Sequence, residues 1–148
     1  MKLLVDVMLG KLARYLRMAG YDAAYALDRD LEDDDAMLSV AAEEDRRIVT
    51  RDAALAARAK DAVLLAAREI DGQLAELRAA GFDLALSEPA RCGRCNGVLD
   101  PVEEDETTPE YAPDPTERAV WRCRECGQYF WRGSHWDDVE ERLSERSE

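Results

Sequence analysis

Cys92, Cys95, Cys123 and Cys126 are the residues whose type and spacing speak most directly of chemistry. They form two Cys-x-x-Cys pairs, Cys92-Gly93-Arg94-Cys95-Asn96-Gly97 and Cys123-Arg124-Glu125-Cys126-Gly127. Two residues between thiolates let a tight turn aim both at one point, and a following glycine permits left-handed backbone as the chain leaves that turn. Four thiolates complete the tetrahedral shell of one structural Zn²⁺, with Zn–S bonds of about 2.3 Å. Two such turns, each on a hairpin, make a zinc ribbon. Two reactive redox dithiols are the other reading, but one metal satisfies the paired motifs more economically. Residues 100–118, DPVEEDETTPEYAPDPTER, separate the two knuckles and read as a solvated acidic loop, whose extra length costs little closure entropy.

Aspartates are the second group. Asp6 ends the apolar run Lys2-Leu3-Leu4-Val5, and Asp52 follows Arg47-Ile48-Val49-Thr50-Arg51. If both runs are parallel strands of one open sheet, both carboxylates emerge at its carboxyl edge, where such sheets bind ligands. Asp28 and Asp30 follow a further strand, Asp71 follows another, and Asp34 and Asp35 open a helix facing the same edge. Asp22 lies at the opposite end of its strand and is excluded. Carboxylates gathered at one edge repel one another unless a hard cation such as Mg²⁺ or Mn²⁺ reconciles them. Such an ion can activate water for in-line attack on a phosphoryl group. Lys11 and Arg14 lie just past the Asp6 turn, off the apolar helix face, as does Arg17; Arg51 adjoins Asp52. These cations can grip phosphates. The plainer reading of a strand-terminal aspartate is a turn former or helix cap, and of Glu32-Asp33-Asp34-Asp35 a solvated helix start.

The elements that must position these groups alternate. A strand over residues 2–5 precedes a helix with Leu9, Leu12, Ala13 and Leu16 on one face and Gly20 as its stop. A strand follows over residues 21–27. Next come a helix to about Asp45 with Met37, Leu38 and Ala41 inward, a strand at 47–50, a helix at about 53–60, a strand at 62–67 and a helix at 70–80 closed by Gly81. Strands alternating with helices at these lengths predict an α/β fold with a mainly parallel sheet flanked by helices. Composition shifts near Ser87-Glu88-Pro89, which divides an α/β unit at 1–88 from the ribbon at 89–148. Residues 137–148 read as a short polar helix or frayed tail.

Net charge is −13, from 33 acidic and 20 basic residues, and only three of the basic residues are lysines (Lys2, Lys11 and Lys60). Neither residues 1–90 nor 91–148 are basic, so any nucleic-acid site is a local patch or a bound metal. An acidic, lysine-poor surface suits a salt-rich, halophilic cytoplasm, where self-repulsion is screened, or simply serves solubility. No stretch approaches the roughly 20 apolar residues of a membrane span, and MKLLVDVMLGK does not read as a secretion signal. The expectation is a cytoplasmic protein with no membrane association. Around the cysteines, Arg91, Arg94, Arg122, Arg124 and Arg132 interleave with Trp121, Tyr129 and Trp131. That is either a single-strand RNA surface or the ribbon's own small core.

LVDVMLGKLARYLRMAGYD, DAMLSVAAEEDRRIVTRD, RCGRCNGVL and WRCRECGQYFWRGSHW together closely resemble the Mut7-C family of PIN-like ribonuclease domains with a C-terminal zinc ribbon. The resemblance spans Leu3 to Trp136 and implies a PIN-like fold and metal-dependent RNA cleavage. Its acidic positions fall on Asp6, Asp35 and Asp52, with Asp71 the least secure match. The expected activity is hydrolysis of RNA phosphodiester bonds with Mg²⁺ or Mn²⁺. The ribbon would orient RNA or dock a partner such as a ribonucleoprotein. The rival is a non-catalytic zinc-ribbon adaptor that binds RNA or a ribonucleoprotein, and action on DNA is a third reading. His135, the only histidine, either contacts RNA near the active site or is a packed ribbon residue; the four cysteines leave it no place on zinc.

Overall fold

The computed structural model describes residues 1–86 and 88–145, apart from the side chains of His135, Ser144 and Glu145. Strands β1 (Lys2–Val5), β2 (Asp22–Tyr25), β3 (Arg47–Thr50) and β4 (Val63–Leu64) lie in the order β2-β1-β3-β4, every neighbouring pair parallel. They alternate with helices α1 (Gly10–Met18), α2 (Asp34–Glu44), α3 (Ala53–Arg58) and α4 (Ile70–Ala79). Successive strand side chains point to opposite faces. Leu3, Val5 and Val49 therefore pack with Leu12 and Leu16 of α1 and Leu74 and Leu77 of α4. Leu4, Ala24 and Ile48 pack on the other face with Met37 of α2 and Leu55 of α3. Burial on both faces explains why these strands are apolar runs without polar alternation.

Two strands are shorter than their sequence patterns. The run at 62–67 pairs only over Val63–Leu64. The Leu65 amide still donates to the Thr50 carbonyl (2.8 Å), but the Glu76 carboxylate then captures the amides of Ala66 and Ala67 (2.9 and 3.0 Å) and ends the ladder. The run at 21–27 leaves the sheet after Tyr25 and tightens into a 3₁₀ turn over Ala26–Arg29. Within the acidic run Glu32-Asp33-Asp34-Asp35, Asp33 caps α2, its carboxylate accepting from the Ala36 amide at 2.7 Å.

The ribbon consists of β5 (Leu99–Pro101), β6 (Val120–Cys123) and β7 (Tyr129–Trp131) in an antiparallel sheet ordered β5-β6-β7. Its core is Cys92, Leu99, Trp121 and Cys123, with Phe130 against them. Residues 134–145 form helix α5 (Ser134–Glu145), whose Val139 and Leu143 join the core beside α1 and α4. Of the two readings of this segment, short polar helix or frayed tail, the helix is the one present as far as Glu145, and it is amphipathic and packed on the α/β layer. The acidic insertion is largely exposed but is not free of the ribbon. Tyr111 packs 6.2 Å from both Tyr129 and Trp131, and its hydroxyl accepts from the Tyr129 amide at 3.2 Å.

Two side chains fasten the first zinc knuckle to the sheet. Arg17, expected off the apolar face of α1, is buried instead. Its Nε donates to the Ala23 carbonyl (2.8 Å) and its Nη1 to the Gly93 carbonyl (3.0 Å), with Asp28 at 3.7 Å. Asn96 accepts the Ala23 amide at 2.9 Å and donates to Asp22 at 2.7 Å. Asp22 also receives Arg46 at 2.8 Å and lies 3.6 Å from Arg91. Burial raises the Asp22 pKa, but the hydrogen bonds from Arg46 and Asn96 outweigh it and hold the carboxyl below its ordinary value. The outer edge of β2, which would otherwise expose unpaired backbone groups, is closed by an amide side chain. Replacing Asn96 with Ala should lower unfolding stability by about 2 kcal/mol, since it strands the Ala23 amide and removes the polar side chain that lets a residue with a Cβ hold a left-handed position (φ 73°). Asn96→Gly removes the hydrogen bonds but leaves no Cβ at that position and should show a smaller loss. Urea midpoints equal to that of the parent in both variants would show that this junction does not hold the ribbon to the sheet.

Candidate functional site: a four-cysteine centre and an acidic sheet edge

The four cysteine sulfurs lie within 4.8 Å of one another. Cys92 and Cys126 are 3.7 Å apart, and Cys95 and Cys123 are 3.5 Å apart. A tetrahedron of Zn–S bonds near 2.3 Å has edges of about 3.8 Å, so the cage fits zinc. Glycine serves the two knuckles differently. In the second, Gly127 takes the left-handed position (φ 78°). In the first, Asn96 takes it, and Gly97 is required for space: a Cβ there would sit 2.7 Å from the Cys123 sulfur. Burial pushes the Cys92 thiol up to about 12. Burial acts upward on Cys123 as well, but the amides of Cys126 and Glu125 and the neighbouring thiols outweigh it and leave it at about 7. Binding zinc therefore expels thiol protons.

At the carboxyl edge of the parallel sheet, Asp6 follows β1 and Asp52 follows β3, on neighbouring strands. Asp6 is only 7% exposed. Its Oδ1 accepts the Val7 amide at 2.8 Å and its Oδ2 accepts the Thr50 hydroxyl at 2.6 Å. The same hydroxyl accepts the Asp52 amide at 3.0 Å, so Thr50 bridges the two acidic positions. Asp52 caps α3, its Oδ1 taking the amides of Ala54 and Leu55 (2.9 and 3.2 Å). Tyr25 donates its phenol to the Val7 carbonyl at 2.5 Å and braces the turn after Asp6. Burial, with the Asp28 and Asp6 carboxylates, raises its pKa and keeps it a donor.

The remaining sequence-derived residues spread out from that edge. Asp35, in the first turn of α2, is exposed and pairs with Arg58 at 2.5 Å. Asp71, in the first turn of α4, lies 3.9 Å from Arg142 of α5. Among the described residues, the cysteines are the only group of three or more potential metal ligands drawn within 4.8 Å; Asp6, Asp35, Asp52 and Asp71 do not form a second. Lys11 is exposed in the first turn of α1. Arg14 is exposed and faces the ribbon, where a Cβ on Gly93 would touch its Cγ at 3.4 Å. Arg51 is partly buried, and its Nε has no hydrogen-bond partner among the described residues. The His135 imidazole lies outside the described side chains. Sequence reasoning missed the roles of Thr50, Tyr25 and Asn96. The available signal for Thr50 was a hydroxyl closing the apolar run Ile48-Val49, two residues before an aspartate.

Because Cys92 and Cys95 flank the Gly93 carbonyl and precede Asn96, zinc should support the α/β layer as well as the ribbon. Structural zinc in isolated finger peptides is worth on the order of 10 kcal/mol. Zinc analysis should give one ion per chain, and Cys92→Ser should lose it. Chelation should then lower the midpoint of a single cooperative far-UV transition. An α/β transition that stays in place while only ribbon signal disappears would refute the coupling.

No helix among the described residues is long and apolar enough to cross a membrane. No curated protein and no solved structure matches the chain. A family model, described as the Mut7-C RNAse domain, matches residues 1–143, which takes in the acidic edge, all four cysteines and most of α5. The chain therefore belongs to the Mut7-C RNAse domain family.

Proposed function

We propose that the protein hydrolyses RNA phosphodiester bonds at the carboxyl edge of its parallel sheet, with the help of Mg²⁺ or Mn²⁺. The observation that carries this reading is the Asp6–Thr50–Asp52 bridge, at the ligand-binding edge of the sheet in a chain of a ribonuclease-domain family. The donor chemistry fits such an ion. Each Asp6 oxygen accepts one hydrogen bond and keeps a lone pair, and Oδ2 of Asp52 makes no hydrogen bond among the described residues. Carboxylate oxygens are the ligands that Mg²⁺ and Mn²⁺ prefer. Asp6 and Asp52 would hold the ion, and Asp35 would help to hold it or orient water. The ion would neutralise charge on the phosphoryl group and activate water.

The chain's own part is positioning. Thr50 fixes the Asp6 carboxylate through its hydroxyl, and Tyr25 holds the backbone of the turn that presents it. Lys11 would take a phosphate next to the reacting one, and Arg51 a second. The exposed Arg58–Asp35 pair contributes little on its own and can open for a ligand. Asp71 remains a candidate fourth acid. A second reading, an RNA-binding adaptor without chemistry, draws support from the use of Asp52 as a helix cap and of Asp35 as an arginine partner.

Asp6→Asn keeps the shape and one hydrogen-bond acceptor but removes the charge. It should lower cleavage of a single-stranded RNA in Mg²⁺ or Mn²⁺ by a factor on the order of 10² to 10³, with zinc content and melting temperature close to the parent's. A purified Asp6→Asn protein that cleaves at the parental rate would remove the catalytic assignment. A parent that binds RNA without cutting it would establish the adaptor.

A further inference from the structure

Away from the sheet edge, α1 and the ribbon enclose a cleft of about 480 Å³, within the range of small-molecule pockets. Its charge is opposite to that of the molecule as a whole. Arg14, Arg91 and Arg94 line it and, among the described residues, no carboxylate does, in a chain with 33 acidic residues against 20 basic. The facing wall is aromatic, with Tyr129, Trp131 and Trp136. Gly133 leaves room for the Trp131 indole, since an added Cβ there would meet its Nε1 at 2.7 Å.

The three arginines are not equivalent. Arg91 is committed to the fold, donating to the Asn96 carbonyl (3.2 Å) and lying 3.6 Å from Asp22. Among the described residues, Arg94 makes only a long contact to the Gln128 side chain, at 3.4 Å, and Arg14 has no ion-pair partner. Two available guanidinium groups facing an aromatic wall suit a ligand that carries both a flat π-face and an anion. A nucleotide has both. A carboxylate-rich peptide lacks the face, and polyphosphate lacks the base.

The approach to the cleft runs along α1. Lys11, Arg14 and Met18 are spaced three and four residues apart and share one stripe of the helix. Lys11 stands in the first turn after the Asp6 edge, and Met18 lies about 10 Å further along the helix axis. A strand crossing the sheet edge would be led up this stripe to the cleft.

We propose that the cleft holds one unstacked nucleotide of a single-stranded RNA, its base against Trp131 and its phosphate on Arg14 and Arg94. The identity of the polymer rests on the ribonuclease reading; the cleft itself does not depend on where cleavage occurs. The test is fluorescence anisotropy of a labelled single-stranded oligoribonucleotide with the full zinc-loaded chain carrying Asp6→Asn and no added Mg²⁺ or Mn²⁺. Arg14→Glu and Trp131→Leu should each weaken binding about tenfold or more, and an oligonucleotide with abasic sites should bind similarly weakly. Neither polyphosphate nor polyglutamate should compete at the same concentration. Unchanged affinity in Arg14→Glu, an exposed site whose substitution leaves the core intact, would overturn the proposal. Competition by polyglutamate equal to that of RNA would overturn it in favour of a peptide site, and failure of the parent to bind RNA would also overturn it. The two readings separate cleanly. Loss of binding in Arg14→Glu from a parent that never cleaves leaves the cleft standing and removes the ribonuclease; cleavage with affinity indifferent to Arg14 and Trp131 does the reverse.

Discussion

The junction between the first zinc knuckle and the edge of β2 sets the placement of much else in the molecule. A metal that orders Cys92 and Cys95 also orders the Gly93 carbonyl and the Asn96 side chain between and beside them. Those groups satisfy Arg17 and the Ala23 amide. A hydrogen bond to a charged group is worth roughly 1.5–3 kcal/mol, and a buried cation deprived of its acceptors costs more than that bond returns. Arg17 is thus an obligation placed on α1 that only β2 and the knuckle together discharge. The chain then returns through α5, and Val139 and Leu143 close against α1 and α4. The ribbon is attached to the α/β layer at both ends of its own sequence, which is why α1 is flanked by sheet on one side and ribbon on another.

That placement matters for the acidic edge because α1 starts there. The four aspartates differ in how they are held. Asp6 sits in a nearly closed environment with both oxygens engaged, and Thr50 ties it to the backbone that presents Asp52. Asp35 stands exposed in an ion pair that solvent weakens, and Asp71 is in the orbit of α5. A site organised in this way has a fixed pair on adjacent strands and outer acids on the first turns of helices, where helix dipoles already favour negative charge. The outer acids can move by rotating a side chain; the inner pair can move only with the sheet.

How much of this was legible in the sequence follows from the range of each interaction. The cysteine cage is written in spacings of three residues, and the strands in short apolar runs, so the ribbon and the parallel α/β layer could be read directly. The placement of Asp6 and Asp52 at one edge followed from strand direction alone. Arg17 could not be read, because its acceptors lie 6 and 76 residues away and nothing local distinguishes it from an exposed arginine. Asp22 was set aside as being at the opposite end of its strand from the carboxyl edge, a reading that conceals its structural role with Arg46 and Asn96. The run after Trp136 could be read as a short helix or a frayed tail, but not as a helix packed on the α/β layer, since only Val139 and Leu143 signal a buried face in it. Truncation of β4 depended on Glu76, a side chain from the following helix, and no strand propensity records that.

Charge distribution brings these strands together. Most of the arginines outside α1 that the structure pairs are spent on nearby acids: Arg29 and Arg46 on Glu44, Arg58 on Asp35, Arg124 on Asp100, Arg142 on Asp71. Lys11 and Arg14 are different, since neither has an ion-pair partner among the described residues, and both lie on the face of α1 that runs from the acidic edge towards the ribbon. At physiological ionic strength the Debye length is about 8 Å, so the distant acidic surface is largely screened while contacts at hydrogen-bond range are not. The net charge of −13 therefore opposes the approach of a polyanion mainly at low salt. Close in, on the proposed reading, the unpaired cations of α1 would decide where a phosphate backbone lies. If RNA binds as proposed, the repulsive surface would itself give selectivity: a nucleic acid would be tolerated only along the narrow line where cations are free and aromatic faces stand beside them.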